Sequence, residues 1–287
     1  MNLMRLPQLR LPRGGGNAFG PLAIAGMFIL AAVALVAIFS PWFAPYELSH
    51  MDVTRQLEGP SSSHWLGTDE NGADVLTLLI YGTRVAAVVG IATVSICATV
   101  GVILGAVSGY FGGWIDEVLM RLTEILMAFP GILLAILLIF ITQEPSLVAV
   151  IGALSVSGWS SYARLVRGQV LAVRDQDYVE AARATGLPTW RILQRHVVPN
   201  TFAPVIIQAT FGVAGAILAE ASLSFLGLGP QDLPSWGGLL DQGASYFLLT
   251  PHLAVVPGLA IMFTVLAVNF VGDGLRDVLD PRKLSDH

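Results

Sequence analysis

The stretch GTRVAAVVGIATVSICATVGVILGAVSG, residues 82–109, carries a single charge, Arg84, in 28 residues. A helix needs about 20 consecutive apolar residues to cross the hydrocarbon core of a bilayer, where only its own hydrogen-bond ladder can satisfy the backbone. The stretch therefore reads as a membrane span. Outward from it, five further runs share its character, at 21–44, 119–142, 146–163, 201–223 and 252–272. The run at 146–163 is the shortest and most polar of them. Composition points the same way: of 287 residues, 54% are hydrophobic and 12% charged, with a mean hydropathy of +0.71. Soluble domains carry about 25% charged residues. The fold class expected is an all-α integral membrane protein with six transmembrane helices.

Basic residues set the orientation, because Lys and Arg accumulate on the cytoplasmic side of short loops. With the N-terminus inside, thirteen of the fifteen are cytoplasmic: Arg5, Arg10, Arg13, Arg121, Arg164, Arg167, Arg174, Arg183, Arg191, Arg195, Arg276, Arg282 and Lys283. Only Arg55 and Arg84 fall outside. The run 21–44 exceeds the roughly 7–15 apolar residues of a secretory signal and reads as a retained first span. The chain then divides into a cytoplasmic tail at 1–20, a first helix at 21–44, an extracytoplasmic loop at 45–81, a five-helix core at 82–272 that includes a cytoplasmic loop at 164–200, and a cytoplasmic tail at 273–287. A formal charge of -5 leaves no basic surplus for a phosphate backbone, so no nucleic-acid partner is expected; membrane lipid is.

No catalytic, cofactor-binding or metal residues are expected. A phosphate-binding loop needs a Gly-rich turn followed by Lys, and the one lysine, Lys283, follows no such turn. The five histidines, His50, His64, His196, His252 and His287, fall in loops, tails or helix ends without the spacing of a metal pair, and no Gly-x-Ser-x-Gly elbow occurs. The lone Cys97 can form neither a disulfide framework nor a cysteine cluster. An ion-coupled secondary transporter is the alternative from another class, since such proteins place acidic residues or broken helices at mid-membrane. Glu220, Glu124 and the Pro130-Gly131 break are its candidates. Glu220 is a candidate outer gate or substrate-path residue, and the sequence leaves open whether it is buried or solvated at the interface.

The inner loop is the most informative non-membrane segment. Residues 175–200, DQDYVEAARATGLPTWRILQRHVVPN, are built as two short helices. Asp175 or Asp177 can cap the first, which runs to Thr185; Gly186 can stop it in a left-handed conformation; Pro188 suits the first turn of the second, which is expected to end before Pro199. Tyr178, Val179 and Ala182 form one apolar stripe, and Trp190, Leu193 and Val197 another. Such stripes fit either the groove of a partner or the membrane surface.

Glu180-Ala181-Ala182, Gly186 and Pro199 resemble the Glu-Ala-Ala loop of bacterial ABC-importer permeases, although His196 and Val198 stand where that family has Ile and Leu. The likeness extends to His64-Trp65-Leu66-Gly67-Thr68-Asp69-Glu70, Gly109-Tyr110-Phe111-Gly112-Gly113, Met120-Arg121, Phe129-Pro130, the segment from Ser222 to Gly229, Pro234-Ser235-Trp236-Gly237 and the segment from Asn269 to Asp277. These motifs, in this order, resemble the second, C-type permease of the dipeptide/oligopeptide/nickel family from about Ile38 to Lys283. Ala73 departs from it, since relatives commonly carry Arg there.

The resemblance implies a permease subunit of an ATP-driven importer of short peptides, with nickel or another small solute as the alternative cargo. It implies as partners a second homologous permease, one or two cytoplasmic ATPase subunits that bind ATP and Mg, and an extracytoplasmic substrate-binding protein. Tyr178, Glu180, Ala181, Ala182, Gly186, Trp190 and Pro199 would then form the ATPase-coupling loop. His64, Trp65, Asp69 and Glu70 are candidates for contact with the binding protein. Lipid gives helices no hydrophobic drive to associate, so small residues mark close packing. Gly101, Gly105 and Gly109 lie on one face of the second span and are expected to seat another helix.

Overall fold

Apolar runs in hydrocarbon must close their own hydrogen-bond ladders. In the computed structural model, which describes residues 19–279, they do so as helices. The order is α1 (Pro21–Ile38), α2 (Ser40–Phe43), α3 (Val75–Phe111), α4 (Gly113–Ala128), α5 (Gly131–Thr142), α6 (Leu147–Val173), α7 (Asp177–Ala184), α8 (Thr189–Ile192), α9 (Phe202–Phe225), α10 (Trp236–Ser245) and α11 (His252–Leu279). Among the described residues the one β feature is an isolated bridge between Thr68 and Asp74. The ends of both tails, with Arg5, Arg10, Arg13, Arg282 and Lys283, lie outside the described residues.

Four segments are long and apolar enough to cross a membrane: α1, α3, the run Thr189–Phe225 and α11. The bent pair α4–α5 makes a fifth if it counts as one span. The remaining expected run, 146–163, corresponds to α6, which has length to spare at 27 residues but is interrupted by polar side chains. Ser155, Ser160 and Tyr162 of α6 are buried inside the molecule.

Prolines and glycines place the breaks. Pro41 lacks an N–H, and the first run divides there into α1 and α2. Pro130 drives Phe129 into an extended conformation, φ -91° and ψ 138°. The third run consequently bends by 88° between α4 and α5. Helix α3 starts at Val75, earlier than the apolar run, because Asp74 caps it by accepting from the Thr77 N–H at 2.8 Å.

Helices α3 and α6 form the central pair. A Cβ at Gly105 would lie 2.9 Å from Cβ of Val166, one at Gly109 would lie 2.9 Å from Cβ of Val170, and one at Gly101 would lie 2.9 Å from the Ala163 nitrogen. The glycine face is thus filled by α6 of the same chain. Val166 and Val170 are fully buried there, in a cluster with Tyr162, Val94 and Val205. At the other end of the molecule, Trp236 of α10 donates from Nε1 to the Leu79 carbonyl at 3.0 Å and packs over Gly82. Helix α1 lies against α11, with Gly26 facing the Ala267 carbonyl.

Candidate functional site

Helix α7 begins after Gln176, whose side chain makes no cap bond, so neither Asp175 nor Asp177 caps it. Asp177 and Glu180 instead complement the helix dipole from its first turn, and Arg183 does so from the last. The helix ends in a Schellman turn: the Leu187 N–H reaches the Ala182 carbonyl at 3.4 Å and the Gly186 N–H reaches that of Arg183 at 3.1 Å. This requires φ +76° at Gly186, which glycine takes without a Cβ penalty.

The second half of the loop corrects the sequence expectation. Helix α8 does not stop before Pro199; it passes into a π-helical turn at Leu193–Val197, a 3-10 turn at Val198–Thr201 and then α9. Pro199 removes one donor from the ladder, and the chain meets this by shifting hydrogen-bond register rather than by leaving the helix. Asn200 braces the joint, with Nδ2 donating to the His196 carbonyl at 2.7 Å and to the Tyr178 hydroxyl at 3.3 Å.

The stripes are also redistributed. Val179, Ala182, Ile192 and Val197 are buried in the chain's own core beside Val166 and Val170. Ala182 thus serves internal packing and offers no surface. The outward face of the loop presents Tyr178, Glu180, Ala181, Gly186 and Trp190, with Tyr178 46% and Trp190 56% exposed. The Arg191 guanidinium lies 5.1 Å from the Trp190 ring, and that of Arg183 lies 5.7 Å from Tyr110 at the end of α3. The loop is thereby fastened to α3 as well as to α6 and α9.

Sequence reasoning missed the polar cluster beside it. Asp116, in the first turn of α4, binds Arg167 of α6 through both carboxylate oxygens, at 2.5 and 2.6 Å. Ser108 of α3 donates to the same carboxylate. Arg174 donates to the Gly109 carbonyl at 2.9 Å. The available signal was an aspartate just after Gly112-Gly113 and an arginine within a long helix at the membrane, since each calls for a partner.

At the opposite end, two of the four proposed binding-protein contacts face inward. His64 and Asp69 are 4% and 2% exposed. Nδ1 of His64 donates to Asp74 at 2.9 Å, under the stacked ring of Tyr46. Asp69 accepts from the N–H groups of Asn71 and Ala73 at 2.9 and 2.8 Å, holding the turn that Gly72 makes with φ +75°. Unpaired buried polar groups are costly, so these side chains are consumed in building the loop. Trp65 is 71% exposed and Glu70 partly so, and both remain on the surface.

Glu220 of α9 is buried, 1% exposed, and accepts from Ser224 Oγ at 2.6 Å. Ser224 and Ser235 also line a cavity of about 720 Å³ between the α2–α3 loop and the α9–α10 connection. Asp69, Glu70, Asp232 and Asp241 are among its lining residues. Glu220 thus sits behind the wall of an acidic chamber and not in a solvated interface.

The family model for the inner-membrane component of binding-protein-dependent transport systems matches residues 101–285. The model for the N-terminal transmembrane domain of oligopeptide transport permease C matches residues 21–60. A dipeptide transport system permease protein of Alkalihalophilus pseudofirmus is 40% identical over 265 residues, 92% of this chain and 87% of the relative. A glutathione transport system permease protein of Pectobacterium atrosepticum is 41% identical over 260 residues, 90% of this chain and 86% of the relative. Among solved structures, an inward-facing MetNI methionine ABC transporter aligns over 70% of this chain and 96% of its own, with a TM-score of 0.58 at 19% identity. That likeness shows a shared fold.

Proposed function

The chain belongs to the family of inner-membrane components of binding-protein-dependent transport systems, and from this we propose that it is the C-type permease of an importer that brings short peptides, of dipeptide to glutathione size, across the membrane. It is a multi-pass permease subunit of an ABC transporter, and ATP hydrolysis belongs to separate subunits. The observation that carries the cargo is the 40% identity to a dipeptide permease, together with an N-terminal match specific to oligopeptide permeases. Neither the nickel cargo nor the ion-coupled alternative is favoured by these relatives.

The subunit works beside a second permease, ATPase and a binding protein, as its family does. In the arrangement proposed, both termini and the α7–α8 loop face the cytoplasm, where thirteen of the fifteen basic residues would lie. Tyr178, Glu180, Ala181 and Trp190 meet the ATPase pair, which binds ATP and Mg. Gly186 and Pro199 shape that surface from behind. Closure of the ATPases displaces α7 and α8; α9, which is continuous with α8, and α6, joined to α7 by a short turn, follow. Trp65 and Glu70 meet the binding protein, and the chamber in front of Glu220 lies on the path between it and the membrane.

Proteoliposomes containing the chain with its co-purified subunits test this. Addition of binding protein, radiolabelled glycyl-leucine and internal ATP is expected to give uptake that stops without ATP. Uptake driven by an ion gradient in the absence of ATPase subunits would overturn it.

A further inference from the structure

The bent pair α4–α5 is held at its two ends. Helix α5 is anchored by Ala135 and Ile139, both buried among Val85, Val89 and Val150. Helix α4 buries only Thr123 along its length, and its polar grip is in the first turn at Asp116. Three helices converge on that carboxylate: α3 through Ser108, α4 through Asp116 itself and α6 through Arg167. The pair joins positions 51 apart in sequence, whereas Arg55–Glu58, Arg121–Glu124 and Arg174–Asp175 join near neighbours.

Helix α6 runs past Arg167 only to Val173, and α7 starts at Asp177. The backbone-deep seating of α6 on Gly101, Gly105 and Gly109 makes α3 and α6 one rigid body. Displacement of α7 therefore reaches Arg167 with little loss. Beyond it, Asp116 is the polar tie into α4. An exposed ion pair contributes little to stability. A two-pronged guanidinium–carboxylate pair, with side chains 31% and 19% exposed here, fixes angle as well as distance, which a mechanical joint needs.

We propose that Asp116 and Arg167 are positioning residues that carry the motion of α7 and α6 into the bent span α4–α5, keeping ATP hydrolysis coupled to movement of the substrate path. The proposal rests on the importer reading above.

The test is the number of ATP molecules hydrolysed per glycyl-leucine taken up, measured on the same proteoliposomes of the full complex. A purely structural role lowers both rates together and leaves that ratio fixed. Asp116→Asn and Arg167→Gln are each expected to raise it severalfold. An unchanged ratio in both variants overturns the proposal. Should the single variants fail to assemble, Arg167→Lys decides, because it keeps the charge and loses the two-pronged geometry. It is expected to raise the ratio, and an unchanged ratio in that variant overturns the proposal. Wild-type complex that takes up no dipeptide on ATP would strike the importer reading instead.

Discussion

The two non-membrane segments solve the same problem in opposite ways. The loop between α2 and α3 has almost no regular structure and is held by side chains bonded to backbone: Asp69 to two N–H groups, Asp74 to the first turn of α3, Thr68 to Glu58 N–H at 3.0 Å. The α7–α8 loop is helical, closes its own backbone bonds and is seated by Val179, Ile192 and Val197. A loop pinned by directional bonds at many points resists displacement as a unit. A helical pair seated on an apolar patch and continuous with α9 is a handle that can be moved intact. The α2–α3 segment has the build of a fixed rim, the α7–α8 segment that of a lever.

Two glycines with nearly equal backbone angles separate these cases most sharply. Gly72 has φ +75° and Gly186 has φ +76°. A Cβ at Gly72 collides with the Asp52 backbone, while one at Gly186 meets nothing within 4 Å. The left-handed conformation alone costs a non-glycine residue roughly 1–2 kcal/mol. Gly186→Ala is expected to lose that much, and Gly72→Ala considerably more. Thermal unfolding in detergent followed by tryptophan fluorescence checks this, since each kcal/mol moves the midpoint by about 2–4 °C in a protein approaching this size. Equal midpoints for the two variants would break the rim-and-lever contrast.

Asp74→Ala comes next. It removes the N-cap of α3, worth about 1 kcal/mol, and leaves the buried His64 ring without its acceptor, a further cost of about 1–3 kcal/mol. The midpoint is expected to fall by less than for Gly72→Ala and by more than for Gly186→Ala. Limited proteolysis is expected to cut first between residues 45 and 74, because that segment loses its anchor while α7–α8 keeps its own. Cleavage in the α7–α8 loop first would show that the rim is not held at Asp74.

What the sequence showed depended on how far apart the interacting residues lie. The spans, the Pro130 break and the left-handed Gly186 follow from patterns within a few positions, and all are visible in the string of residues. Asp116 and Arg167 are 51 positions apart, and no local pattern joins them. His64 and Asp69 read as surface groups because polar residues in a loop usually are; only the fold shows that they face inward. The passage of α8 through π and 3-10 turns into α9 was hidden by Pro199, which ordinarily ends a helix and here only shifts its register. Apolar stripes in α7 and α8 were legible as stripes, but periodicity cannot say whether their partner is another protein or the chain's own core. Val179 and Val197 turned to the core, and Tyr178 and Trp190 did not.

That division supplies the test with the smallest effect on stability. Trp190 is 56% exposed and its ring carries Arg191, so truncation leaves no cavity in the chain. Trp190→Ala is expected to leave the unfolding midpoint close to wild type, since surface changes away from special features stay within about 0.5 kcal/mol. Exposed tryptophans at interfaces often cost about 2 kcal/mol or more of binding when truncated. Capture of the ATPase subunits by tagged chain, titrated against their concentration, is therefore expected to weaken by at least about tenfold, as 1.4 kcal/mol corresponds to each factor of ten. A midpoint that falls with capture unchanged would mean that Trp190 belongs to the packing of the loop and not to its working face, and the lever would then have to be gripped elsewhere, through Tyr178 and Ala181 on the opposite helix.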